Sequence, residues 1–277
     1  PVNGPALDID NTGMDHHGTV IIDDLRVSSN SSVHAIELDE VDGFVRGLDL
    51  SGDNGGMLWD AEGQSASYLE NSFIVGNSAS CLDLVDHSEL FSDNVALDCD
   101  PSSPASMSDS FANFTDSWFL SGSSDTFDML GNSHLRWISS SDFGTPTFTG
   151  SDNIADVMWL VEVHAVNQYL LHIPHAEVNM SFDLYESEHT ATLPYSGIET
   201  YGPFIGERWT PMQGWSDTNM VYTGCDYDGV HNDSASAELS SDLSVYCRLE
   251  LQNQPPFILW DSPSDEGVFA SGSAVSF

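Results

Sequence analysis

Acidic side chains are the residues of this sequence with the most scope for chemistry. The 277-residue chain holds 44 Asp and Glu against five arginines (Arg26, Arg46, Arg136, Arg208 and Arg248) and no lysine, a formal net charge of -39. Two carboxyl groups flanking a glycosidic bond can act as acid and base or nucleophile, and Asp83 with Asp60 or Asp128 is the pair that the chain spacing brings nearest. A lyase also needs a base near a carboxylate, usually a cationic side chain. Arg26, Arg46 and Arg136 are the cations available in the first half, with Arg26 about one repeat from Asp49. Among 44 acids, adjacent carboxylates arise by chance, so the expectation is no catalytic site.

Oxygen-rich loops suit calcium. Asp226-Tyr227-Asp228-Gly229 has the D-x-D-G spacing of a calcium loop, without the twelve-residue pattern of an EF-hand. Asp49, Asp53 and Asn54 form a second oxygen-rich group. Metal candidates are therefore Asp226, Asp228, Asp49 and Asp53, and calcium is the one cofactor expected, against the alternative of solvated acidic loops. His172 with His175, and His16 with His17, are candidate transition-metal pairs, more simply read as loop histidines. Trp209 and Trp215 lie in a Gly/Pro-containing stretch and are candidates for stacking on sugar, or for core packing.

So negative a chain repels nucleic acid and anionic membranes. No apolar run reaches the roughly 18–20 residues of a membrane span. The four cysteines fall into local pairs, Cys81 with Cys99 and Cys225 with Cys247, 18 and 22 residues apart. No C-x-x-C spacing points to zinc, and an even count favours disulfides in an oxidising compartment. Four N-x-S/T sequons, at Asn30, Asn113, Asn179 and Asn232, point the same way. The expected location is extracellular, at a cell surface.

The elements that position these groups show a repeat. Leu25-Arg26-Val27, Leu48-Asp49-Leu50, Phe73-Ile74-Val75, Val95-Ala96-Leu97 and Trp118-Phe119-Leu120 follow at steps of 23, 25, 22 and 23 residues. A second ladder interleaves: Leu7-Asp8-Ile9, Ile36-Glu37-Leu38, Leu58-Trp59-Asp60, Leu82-Asp83-Leu84, Ala105-Ser106-Met107 and Phe127-Asp128-Met129. A weaker third runs through Val45, Leu69, Leu90, Ala112 and Leu135. Alternation along a strand turns positions 1 and 3 of each triplet inward and position 2 outward. One turn cannot bury its apolar side chains alone; stacked turns can. Three short strands per coil of about 22–24 residues predict a parallel β-helix, with a β-sandwich as the alternative. The pattern over residues 6–138 resembles the right-handed parallel β-helix repeats of secreted surface proteins and polysaccharide-active enzymes. The first rung begins at Leu7, so upstream coils or a neighbouring molecule are expected to cover that end.

Residues 139–155 read as a Ser/Gly/Thr/Pro-rich linker. Period-2 runs at 157–163, 176–182, 220–222 and 243–251 predict a β-sandwich over 156–254. The order V-x-V followed by Ile173-Pro174-His175-Ala176-Glu177-Val178 resembles the carboxypeptidase-regulatory-like sandwich, with His175 where glycine is usual. That resemblance implies a structural spacer and carries no catalytic residue. Residues 255–277, Pro255-Pro256-Phe257-Ile258-Leu259 through Gly267-Val268-Phe269 to Val275-Ser276-Phe277, resemble the opening of a bacterial-type Ig-like repeat. They are expected to begin a further domain or to supply an intersubunit strand, with Phe257, Leu259, Val268, Phe269, Val275 and Phe277 as assembly residues. The fold class expected is all-β, a right-handed parallel β-helix followed by a β-sandwich. The function expected is a structural surface protein or filament subunit, its partners further copies of itself or the remaining domains of a longer chain. A carbohydrate-binding or carbohydrate-active module is the alternative.

Overall fold

The computed structural model describes residues 7–10, 18–29, 35–52, 59–76, 81–98, 105–119, 125–140, 145–185 and 188–251. Among them the protein is all-β. The first six strands are β1 (Leu7–Asp10), β2 (Gly18–Asp23), β3 (Arg26–Ser29), β4 (Ile36–Asp39), β5 (Val41–Arg46) and β6 (Asp49–Gly52). Next come β7 (Trp59–Glu62), β8 (Ala66–Gly76), β9 (Leu82–Leu84), β10 (Glu89–Asp98), β11 (Ala105–Ser108), β12 (Phe111–Thr115) and β13 (Trp118–Phe119). The run closes with β14 (Asp125–Leu130), β15 (His134–Ile138), β16 (Thr145–Thr149) and β17 (Ile154–Asn167).

These strands stack as a solenoid. One parallel ladder runs β1-β4-β7-β9-β11-β14-β16, and a second runs β2-β5-β8-β10-β12-β15-β17. Shorter pairings, β3 with β6, β6 with the end of β8, and the end of β10 with β13, lie beside the second ladder. Inward side chains form one apolar column that includes Ile36, Leu38, Leu50, Ile74, Leu82, Leu84, Leu97, Met107, Phe127 and Trp137.

Two columns of left-handed residues turn the chain. Asp24, Gly47, Asn71, Asn94, Asp116 and Ser139 all have positive φ and recur at the repeat spacing; Glu40, Gly63, Asp86, Asp109 and Gly131 form the other column. Asp and Asn tolerate this conformation because their short polar side chains bond locally. A buried serine commonly follows the corner, and its hydroxyl binds backbone of the preceding rung. Val41, Leu48, Val95, Ser110 and Ser117 donate their amides to the hydroxyls of Ser65, Ser72, Ser117, Ser133 and Ser140 at 3.1–3.3 Å.

Those serines correct the expected register. Ser72 and Ser117 take the inward place that the ladder of triplets assigned to Phe73 and Trp118. Phe73 pairs with outward Asp49 and is 39% exposed, while Ile74, wholly buried, stacks on Leu50. Likewise Trp59, not Leu58, pairs with Ile36. The third ladder merges two rows, since Val45 and Leu69 share one row while Leu90, Ala112 and Leu135 share the next. A hydroxyl that binds the adjacent rung is as good an inward residue at a corner as a methyl group, and apolarity alone misses it.

At Gly131 (φ +66°) an added Cβ would fall on the Asp109 carboxylate, whose Oδ1 accepts from the Asn132 amide at 2.9 Å. Gly214 has a similar φ of +69° and open space around it. Gly131→Ala is expected to destabilise by about 2–3 kcal/mol and Gly214→Ala by about 1 kcal/mol. Urea midpoints of the two variants separate the contact from the backbone strain.

Residues 139–155 do not behave as a linker. Thr145–Thr149 is β16, paired with β14, and β17 begins at Ile154, paired with β15. Solenoid corners and linkers share a Ser/Gly/Thr/Pro composition, which hid two further rungs. Beyond β17 lie β18 (Glu177–Phe182), β19 (His189–Thr192), β20 (Ile198–Thr210), β21 (Gly214–Trp215), β22 (Met220–Tyr227), β23 (Val230–Glu238) and β24 (Leu243–Leu249). The 14-residue β17 carries β20 antiparallel along its length and β24 parallel on its second half. A separate antiparallel sheet runs β19-β18-β22-β23. Val161, Val163, Val178, Met180, Phe204, Val221, Val245 and Leu249 from the two sheets meet in one second core. Trp209 and Trp215, with centroids 4.6 Å apart and Phe148 against Trp209, pack on the solenoid column at its β16–β17 end.

Candidate functional site

Period-2 alternation turns every second residue of a ladder to the outside, and rung spacing of about 4.8 Å then stacks those side chains in columns. On the first ladder the backbone register runs Asp8, Glu37, Asp60, Asp83, Ser106, Asp128, Thr147, and beside it Asp10, Asp39 and Glu62. On the second ladder Ile21, Phe44, Tyr68 and Phe91 are neighbours. Phe44 and Tyr68 stack at 4.6 Å and 1°, and Tyr68 and Phe91 at 5.1 Å and 14°. Tyr68 is stacked between Phe44 and Phe91, and the column serves to hold register.

Of the carboxylates considered for catalysis, Asp60 and Asp83 are register neighbours on adjacent rungs. Asp83 and Asp128 are separated by Ser106, which pairs with both. Ser106 Oγ donates to Asp83 Oδ1, and Thr147 Oγ1 donates to Asp128 Oδ1. The arginines are engaged too: Arg26 Nε meets Asp49 at 3.1 Å, Arg46 Nε meets Glu70 at 2.9 Å, and Arg136 lies 5.2 Å over the Phe111 ring. Arg248 donates to the Gln168 carbonyl at 2.8 Å.

Asp156 on β17 is a buried carboxylate, 1% exposed, with three side-chain hydrogen-bonding atoms around it. Arg208 of β20 donates to both its oxygens, Nε at 2.6 Å and Nη2 at 2.9 Å, and His134 Nε2 of β15 lies 2.9 Å from Oδ2. This node ties the last solenoid rungs to β20, which continues the same sheet. The sequence signal is a lone acid in the apolar run Ile154–Val161, which the reading of the sequence did not single out.

Asp228-Gly229 is the two-residue turn between β22 and β23, with φ of 53° and 75°, the positive values a type I′ hairpin requires. Turn chemistry therefore accounts for this D-x-D-G run. Asp226 lies 3.9 Å from His231 Nδ1. Asp49 faces Arg26; Asp53 lies outside the described residues. No group of three or more His, Cys, Asp or Glu gathers around one point among the described residues. His175 contacts Tyr195, whereas His172 contacts His164; His16 and His17 lie outside the described residues.

Cys225 and Cys247 form a disulfide, which fits an oxidising compartment. Cys81 is buried and disulfide-bonded, and Cys99 lies outside the described residues. Of the sequons, Asn179 is exposed on β18 and accepts from Thr190 at 2.7 Å. Asn232 donates to the Arg248 carbonyl, and Asn113 Oδ1 is buried on β12. Asn30 and all six assembly residues, Phe257 to Phe277, lie outside the described residues. No helix among the described residues is long and apolar enough to cross a membrane.

Electrostatics give the fold an acid-shifted optimum. Burial pushes the Asp39 carboxyl up, and Asp10, Glu40, Asp86 and Asp8 add to it; burial, Asp93 and Asp242 do the same at Asp116. Burial pushes Asp156 up, but the hydrogen bonds from His134 and Arg208 outweigh it and hold its pKa below the usual range. The raised groups favour the folded state at low pH, a contribution lost as pH rises through their folded values. Asp156 contributes above about pH 4 and is lost as pH falls further. The melting temperature is therefore expected to rise as acidification brings the pH toward about 4, the unfolded carboxylate value, and to fall on further acidification. A monotonic fall from pH 7.5 downward in a thermal-melt series would contradict this.

Compared with protein-family models, characterised proteins and solved structures, the chain matches none.

Proposed function

We propose that this chain is a non-catalytic structural segment of an extracellular surface protein. It is a right-handed parallel β-helix, three short strands per coil, joined stiffly to a β-sandwich spacer. One observation carries this reading: β17 is at once the last rung of a solenoid ladder and the strand on which β20 and β24 carry the same sheet beyond the solenoid. A shared strand clamped by the buried Asp156–Arg208 pair leaves no hinge at the joint, which suits a connector. Outward carboxylates bonded to hydroxyls, arginines set in rung-to-rung pairs and stacked ring faces suit a solvated wall better than a catalytic groove.

Calcium held between acidic columns belongs to the same proposal, since like charges directly opposite destabilise a sheet. So does head-to-tail assembly through residues 256–277. The test of the non-catalytic claim is incubation with neutral and uronate-containing polysaccharides, followed by assay of new reducing ends and unsaturated products. No turnover is expected. Turnover abolished by Asp83→Asn or Asp128→Asn would overturn the proposal in favour of a carbohydrate-active module.

A further inference from the structure

His164 lies on the outward face of β17 and is 8% exposed. Its Nε2 is 2.6 Å from Glu162 Oε1, and that carboxylate also accepts from Ser244 Oγ at 3.2 Å. The contact places the proton of a neutral imidazole on Nε2. The other nitrogen, Nδ1, is buried with no hydrogen-bond partner among the described residues. A buried lone pair without a donor is costly, and it is the form in which histidine binds a metal.

A second imidazole stands beside it. His172 pairs with Val166, two residues along the same face of the strand. The His164 and His172 ring centroids are 5.5 Å apart with planes at 56°. Two imidazoles bound through one nitrogen each at about 2.0–2.1 Å in a tetrahedral site place their centres about 5–5.5 Å apart. Tyr246, opposite His164, stacks on its other side at 4.4 Å and fixes the ring. Metal-bound histidines characteristically donate their second N–H to a carboxylate, the part Glu162 takes. Arg248, the nearest cation on this face, points its guanidinium at the Gln168 carbonyl.

We propose that His164 Nδ1 and His172 form a two-imidazole site for a divalent first-row transition cation, with solvent completing the shell and Glu162 orienting His164. Imidazole pairs suit Cu²⁺, Zn²⁺ and Ni²⁺, with Cu²⁺ the tightest, while the surface carboxylates prefer harder ions. His172 is thus a partner of His164 and not of His175.

The test uses the full chain with His16 and His17 both changed to Gln, in excess calcium, with one equivalent of Cu²⁺. Electron paramagnetic resonance is expected to show coupling to two nitrogens. His172→Gln should reduce this to one nitrogen and weaken binding, and Glu162→Gln should weaken it by about tenfold or more. His175→Gln should bind as its parent does. His172 is half-buried and makes no side-chain hydrogen bond among the described residues, so its variant remains informative if His164→Gln fails to fold. An oxygen-only signal in the parent, or a His172→Gln signal unchanged from it, would overturn the proposal.

Discussion

Arg208→Met is expected to cost about 3 kcal/mol, at the lower end of the roughly 3–5 kcal/mol for stranding a buried charge. Asp156 is ionised, 1% exposed, and takes two of its hydrogen bonds from this one guanidinium. His134 remains as its hydrogen-bond partner, which is why the lower end applies. Asp156→Leu combined with Arg208→Met should recover much of the loss, because an apolar pair of similar volume needs no desolvation of charge. Urea midpoints for the single and double variants decide it. Equal midpoints for Arg208→Met and the parent would mean the node is not formed.

Phe127→Ala should cost about 3–5 kcal/mol, the usual range for emptying a buried aromatic site. Phe127 stands at the centre of a ring cluster inside the solenoid: Phe119 at 5.5 Å, Phe114 at 5.7 Å and Trp137 at 6.4 Å. Three rigid rings fixed by rungs above and below cannot collapse into the space. Phe73→Ala removes the same atoms from an outward, 39% exposed position and should cost under about 1 kcal/mol. Comparable losses for the two variants would contradict the register in which Ile74, not Phe73, faces inward.

The solenoid was legible because its apolar triplets recur: Leu82-Asp83-Leu84 and Phe127-Asp128-Met129 stand where the spacing placed them. What apolarity could not reveal were the rungs whose inward residue is polar. Ser72 and Ser117 satisfy backbone of the rung before, so Phe73 and Trp118 were displaced outward by one residue. The rungs at β16 and the start of β17 were lost for a related reason, since Thr145–Thr149 has the composition of a loop. In the second half β20 went unseen because Gly202, Pro203 and Gly206 interrupt it. The Asp156 node was illegible, as its three members come from β15, β17 and β20 and meet only in space. His172 was picked out as a possible ligand, but proximity in sequence favoured His175 over His164, which lies across a turn.

The stiffness of the joint at β17 is the claim on which the connector role rests. It is tested most directly by pulsed electron–electron distance measurement between spin labels introduced as unnatural amino acids at Glu89 on the solenoid and Thr190 on the far sheet. Both positions are exposed and lie on strands, β10 and β19. A single narrow distance distribution, unchanged between low and high salt, is the result expected of a strand shared by both parts. A broad or two-peaked distribution would show that the solenoid and the second sheet move independently, and would contradict it.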